Sequence, residues 1–113
     1  MLQFALACAA MLMGTNVPPL GHLQTFDDIP ASTCPWPQGC RASQVSTEQT
    51  WTVYGPNLDF PTAVHEACHR VQIYRNAWIH IEGVTYGPAS EAECIALELR
   101  TQECIDRIFT PTP

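Results

Sequence analysis

Hydrophobic and polar positions are distributed unevenly along the chain. Met1 to Met13 (MLQFALACAAMLM) contains no charge and only Gln3 as a polar residue. That run is too short to span a bilayer but suits the apolar core of a signal peptide, although no Lys or Arg precedes it. Residues 1–17 are therefore expected to be an export signal or an apolar N-terminal segment, with a buried helix as the alternative, and residues 18–113 a single small domain. Prolines at 18, 19, 30, 35 and 37, with Gly21 and Gly39, punctuate residues 18–40, which read as loop. From Arg41 to Tyr54, Val, Thr, Trp and Tyr dominate, and Trp51 and Val53 alternate with Thr50, Thr52 and Tyr54. One or two short strands ending at Gly55-Pro56 are expected there.

Asp59-Phe60-Pro61-Thr62 is a helix start, and Val64, Cys68 and Val71 form an apolar stripe at helical spacing up to Arg75 or Asn76. Residues 77–86 read as a short extended connector. Ser90 followed by Glu93 has capping-box spacing and predicts a second helix reaching Ile108, before a frayed Thr110–Pro113 tail. The fold class is α+β, with short antiparallel strands packed on two helices.

Composition narrows the function. Eleven acidic residues against five basic ones, all of them arginine, give a net charge of −6. This lacks the basic footprint of a nucleic-acid binder and the polybasic segment of a membrane-surface anchor. Six cysteines in 113 residues suggest disulfides and an oxidising, secreted or extracytoplasmic setting. Cys34 and Cys40 bracket a tight loop and are the expected bridge. Cys68, Cys94 and Cys104 are left without assigned partners, and Cys8 would be lost with an export segment.

His65-Glu66-Ala67-Cys68-His69 is an HExxH motif inside the first predicted helix. Histidines four apart lie on one face and can meet one metal ion, and the glutamate beside them can act as general base on metal-activated water. Zn2+ is the expected metal, with Glu66 catalytic and His65 and His69 as ligands. Cys68, one step around the helix, reads as core or disulfide. A catalytic zinc needs a third protein ligand and an open position. The longer HExxHxxGxxH motif is absent, with Gln72 at its glycine and Arg75 at its third histidine, so the candidates are Glu91, Glu93 and Glu98 on the second helix.

Over residues 61–100 the chain resembles gluzincin metallopeptidases, and in size the minimal single-domain minigluzincins. In several such families the third ligand lies in an E-x-x-A pattern whose alanine lets two helices approach. Glu93-Cys94-Ile95-Ala96 matches it, so the resemblance implies Glu93 as ligand within a minimal zincin-like fold. Glu91 takes that place if Glu93 is only the capping acid. These families often carry an acid directly after the alanine to orient a ligand histidine; here Leu97 stands there. The resemblance implies hydrolysis of a peptide or protein substrate.

Weaker candidates surround this core. His80, Tyr86, Tyr74 and Arg100 are possible donors to a developing oxyanion. Gln49–Tyr54 is a candidate edge strand for an extended substrate, or an ordinary core strand burying Trp51. Two other functions compete: a structural Cys2His2 zinc module built from Cys34, Cys40, His65 and His69, and a secreted interaction domain that keeps zinc without catalysis.

Overall fold

A computed structural model describes residues 1–34, 37, 39–47, 49–55, 58–76 and 88–109. In chain order these form α1 (Leu2–Leu12), β1 (His22–Phe26), β2 (Ser43–Ser46), β3 (Thr50–Tyr54), α2 (Phe60–Asn76), α3 (Pro88–Glu98) and α4 (Thr101–Phe109), with a 3-10 turn at Ala31–Thr33. The α+β class holds. The connector expected at residues 77–86 and the tail at 110–113 lie outside the described residues.

Helix α2 is the centre of the molecule. Asp59 Oδ1 accepts the Thr62 N–H at 2.8 Å, satisfying a donor that the first turn cannot. Every residue from Thr62 to Ile73 is buried. Val64, Cys68 and Val71 are buried as the stripe requires, and the polar positions between them are buried too.

Helix α1 packs along α2. Leu2, Ala5, Leu6, Ala9 and Ala10 share one core with Ala63, Val64, Ala67 and Val71. Small alanine side chains on both helices suit close packing of their backbones. Leu2–Leu12, which lies within the expected export segment, is a packed helix, and a Cys8–Cys104 disulfide joins it to α4.

The sheet has order β1-β3-β2, with β1 parallel and β2 antiparallel to β3. It is thus mixed, where all-antiparallel pairing was expected. Strand β1 also arises inside the stretch read as loop. Its side chains are mostly exposed, so an edge strand here carries little apolar alternation. Gly21 sets it up: its φ is +66°, and a Cβ there would stand 2.7 Å from the Gln49 carbonyl oxygen. That close approach lets the His22 N–H reach the same oxygen at 2.7 Å. Strand β3 is central and buries Trp51 and Val53, so Gln49–Tyr54 offers no free edge to a substrate.

Arg70 joins sheet to helix. Fully buried, its guanidinium donates to the carbonyls of Pro19 (2.8 and 3.2 Å) and Thr50 (3.0 Å). It lies 5.6 Å from the Trp51 ring centroid and 5.0 Å from that of Tyr74. Burial lowers its pKa, yet an arginine stays charged, and the backbone carbonyls supply the compensating dipoles.

The predicted second helix is two helices. The chain turns at Leu99-Arg100, where the Thr101 hydroxyl donates to the Glu98 carbonyl at 3.3 Å, and α4 begins at Thr101. Neither Gly nor Pro marks the break, so nothing in the local sequence announces it. The turn lets Cys94 bond Cys68 from α3 while Cys104 bonds Cys8 from α4. With Cys34–Cys40, which matches the expected bridge, all six cysteines are paired. Three disulfides fit an oxidising compartment. Among the described residues, no helix is long and apolar enough to cross a membrane.

Candidate metal centre

Helices α2 and α3 run antiparallel: Glu98, late in α3, meets His65, whereas Glu93, early in it, meets Gln72 and Arg75. The Cys68–Cys94 disulfide ties the two helices between these contacts. Both HExxH histidines are buried and point their Nε2 atoms at one carboxylate. His65 Nε2 lies 2.6 Å from Glu91 Oε1, and His69 Nε2 lies 3.1 Å from Glu91 Oε2. One nitrogen from each ring and one Glu91 oxygen lie within 4.8 Å of one another, a donor set able to hold a metal ion. Two imidazoles and a carboxylate suit a borderline divalent cation.

The structure thus brings together His65, His69 and Glu91, where E-x-x-A matching pointed to Glu93. Glu93 is engaged elsewhere. Its carboxylate accepts from Arg75 Nη2 at 2.7 Å and from Gln72 Nε2 at 2.8 Å. Ala96, the expected small contact residue, is exposed, whereas Cys94, three residues after Glu91, is buried and bonded to α2. Helix α3 begins at Pro88, so Ser90 lies inside it and Glu93 is not the acid of a Ser90 cap.

Glu98 sets a carboxylate oxygen against His65 Nδ1, though without hydrogen-bond alignment. His69 Nδ1 lies 3.0 Å from Gln72 Oε1. The side chains facing the two Nδ1 atoms are therefore those of Glu98 and Gln72, and not that of Leu97. Sequence reasoning missed Gln72, whose signal was its spacing: three residues after His69, it shares that helix face.

Electrostatics in the metal-free site follow from this packing. Burial pushes the Glu66 carboxyl up to about 7; the nearby His69 opposes the rise, and Glu91 and Glu98 add to it. Burial alone would disfavour a charged His69. The Glu91 hydrogen bond, the Glu66 charge and the Gln72 bond outweigh it, and the ring titrates above its usual value. Glu91 is held below the usual carboxylate range, chiefly by its hydrogen bond to His69. Both shifts favour a proton between the His69 ring and the Glu91 carboxylate, in the place a cation would take. A bound cation would displace that proton and draw the Glu66 pKa back down.

The remaining candidates do not join this group. Cys34 and Cys40 are bonded to each other. Tyr74 packs on Arg70, and Arg100 is exposed and paired with Glu103. His80 and Tyr86 lie outside the described residues. No protein-family model, curated protein or solved structure matches this chain.

Proposed function

We propose that the protein is a small extracytoplasmic zinc peptidase, resembling gluzincins, in which His65, His69 and Glu91 hold the ion and Glu66 is the general base. The observation that carries this reading is the convergence of both HExxH Nε2 atoms on the Glu91 carboxylate. A burial-raised acid stands one residue from the first ligand. Zinc bound there would act as a Lewis acid and acidify water. His65 and His69 give neutral nitrogen donors, and Glu91 gives the anionic one. Glu66 takes a proton from the attacking water on a carboxylate oxygen and delivers it to the departing amine. In place of the family's small alanine, Cys94 holds the ligand helix against α2 through its bridge to Cys68.

Elemental analysis of purified protein, with mass-spectrometric analysis of a peptide library, tests the reading. One zinc per chain is expected, lost in Glu91→Gln and retained in Glu66→Gln and Glu93→Gln. Cleavage should fall by roughly 10²- to 10⁴-fold in Glu66→Gln. Zinc retention without peptide cleavage by the wild type would leave a zinc-containing interaction domain. A folded chain that takes up no zinc would sink the site itself.

A further inference from the structure

We infer, building on the metal reading above, that the Cys68–Cys94 bridge is a redox-linked part of the metal centre: opening it releases the ion, and the bound ion keeps it closed.

The bridge stands inside the site. Cys68 directly precedes His69 in the HExxH motif, and Cys94 follows Glu91 by three residues, about one turn of α3. One covalent bond therefore joins the turn that carries His69 to the turn that carries Glu91. Both cysteines are fully buried between the helices, and Cys94 Sγ already touches His69 Nδ1 at 3.5 Å. Two sulfurs that are no longer bonded cannot keep their bonded positions, and a close-packed interior gives them no spare room. Their separation is taken up by their neighbours, the His69 ring and the α3 backbone that carries Glu91. Ligand distances at a metal centre stay within about 0.2 Å of their preferred values, so displacing either group weakens binding. The other two bridges lack this placement. Cys8–Cys104 joins α1 to α4, and Cys34–Cys40 closes a loop outside both helices.

A dithiol is the reductant that balances the step. One of its sulfurs attacks Cys68 or Cys94, the protein S–S bond breaks, and a mixed disulfide forms. The second reagent sulfur then attacks the first, closing a cyclic disulfide and releasing the protein sulfur. Cys68 and Cys94 together gain the two electrons and two protons that the dithiol loses. Because the bridge is buried, attack requires the α2–α3 contact to open, and a cation held by both helices opposes that opening. Linkage makes the two effects equal: the factor by which reduction weakens zinc binding is the factor by which zinc shifts the thiol–disulfide equilibrium.

Dithiothreitol redox buffers, with and without saturating zinc, test the coupling. Acid quenching, alkylation and peptide mass spectrometry read the open fraction of each bridge, and zinc competition against a chromophoric chelator reads affinity in each redox state. Zinc should raise the ratio of reduced to oxidised reagent that half-opens Cys68–Cys94 by about 5- to 150-fold, and the reduced, folded protein should bind zinc more weakly by the same factor. The midpoints of Cys34–Cys40 and Cys8–Cys104 should not respond to zinc, and in Glu91→Gln none of the three should. Equal zinc affinity in both redox states, with no shift, would overturn the coupling. So would an equal shift at Cys8–Cys104, because zinc would then be opposing global unfolding. Oxidised wild type that binds no zinc would instead defeat the metal reading itself, so affinity in the oxidised state tells the two failures apart.

Discussion

Helix α2 has two kinds of neighbour. Towards α1 it meets leucine and alanine, and its Ala63, Val64, Ala67 and Val71 join an apolar core. Towards α3 it meets carboxylates, and His65, His69, Gln72 and Arg75 are each engaged by Glu91, Glu93 or Glu98. Apolar burial is non-directional and stabilises in proportion to area. A buried polar cluster stabilises only if each member finds its partner, and it is costly when half-satisfied. One face of the helix therefore secures the fold, and the other holds groups whose arrangement makes sense as a binding site. A disulfide backs each side: Cys8–Cys104 joins α1 to α4, and Cys68–Cys94 joins α2 to α3.

Replacing one bridge at a time separates the two faces. Cys8→Ser with Cys104→Ser opens a link of sequence separation 96 and should cost about 4–5 kcal/mol in urea unfolding. The protein that remains folded should bind zinc as tightly as wild type. Cys68→Ser with Cys94→Ser opens a separation of 26 and should cost less, about 3.5 kcal/mol. This second pair should weaken zinc binding at least several-fold even at temperatures where the variant is fully folded. Weaker zinc binding in the folded first variant, and not in the second, would invert the assignment of the faces.

Smaller still is the effect of emptying the site. Glu91→Gln should abolish zinc binding but shift metal-free stability by no more than about 1 kcal/mol in either direction, because breaking the ion pair also removes the charge that must be desolvated. Equilibrium unfolding in the presence of a chelator measures it. A loss above about 3 kcal/mol would show that the α3 carboxylates hold the fold together as strongly as the apolar core.

The sequence made helix α2 legible because its signals are local: a cap, a helical period and two histidines one turn apart. The third member of the candidate metal group was harder because Glu91, Glu93 and Glu98 all lie on a helix that can face α2, and pattern matching favoured Glu93. The deciding fact is the antiparallel crossing pinned by Cys68–Cys94, a long-range pairing absent from local spacing. Strand β1 escaped notice because a mostly exposed edge strand between glycine and proline signals has little alternation to read. The break between α3 and α4 escaped for a related reason: the Thr101 bond to Glu98 and the Cys104 bridge specify it, without a glycine or proline. Arg70 was unremarkable in sequence, since only the fold reveals that Pro19 and Thr50 carbonyls surround it.

Asp59 gives the smallest and most discriminating test of whether lateral contacts position α2. Its carboxylate caps the helix, and the bond to Thr62 lowers its pKa below 3.8. Asp59→Ala should cost about 1 kcal/mol. A depressed carboxylate pKa contributes stability that is fully present above the unfolded value and lost as pH falls through the folded value. The difference between wild type and variant should therefore persist at neutral pH and shrink below about pH 3.8, as urea midpoints across that range would show. Zinc affinity at neutral pH should not change, because His65 lies more than a turn beyond the cap and is held from the side by Glu91 and Glu98. If removing the cap weakens zinc binding, the histidines are positioned through the end of the helix, and the contrast between its two faces does not account for the site.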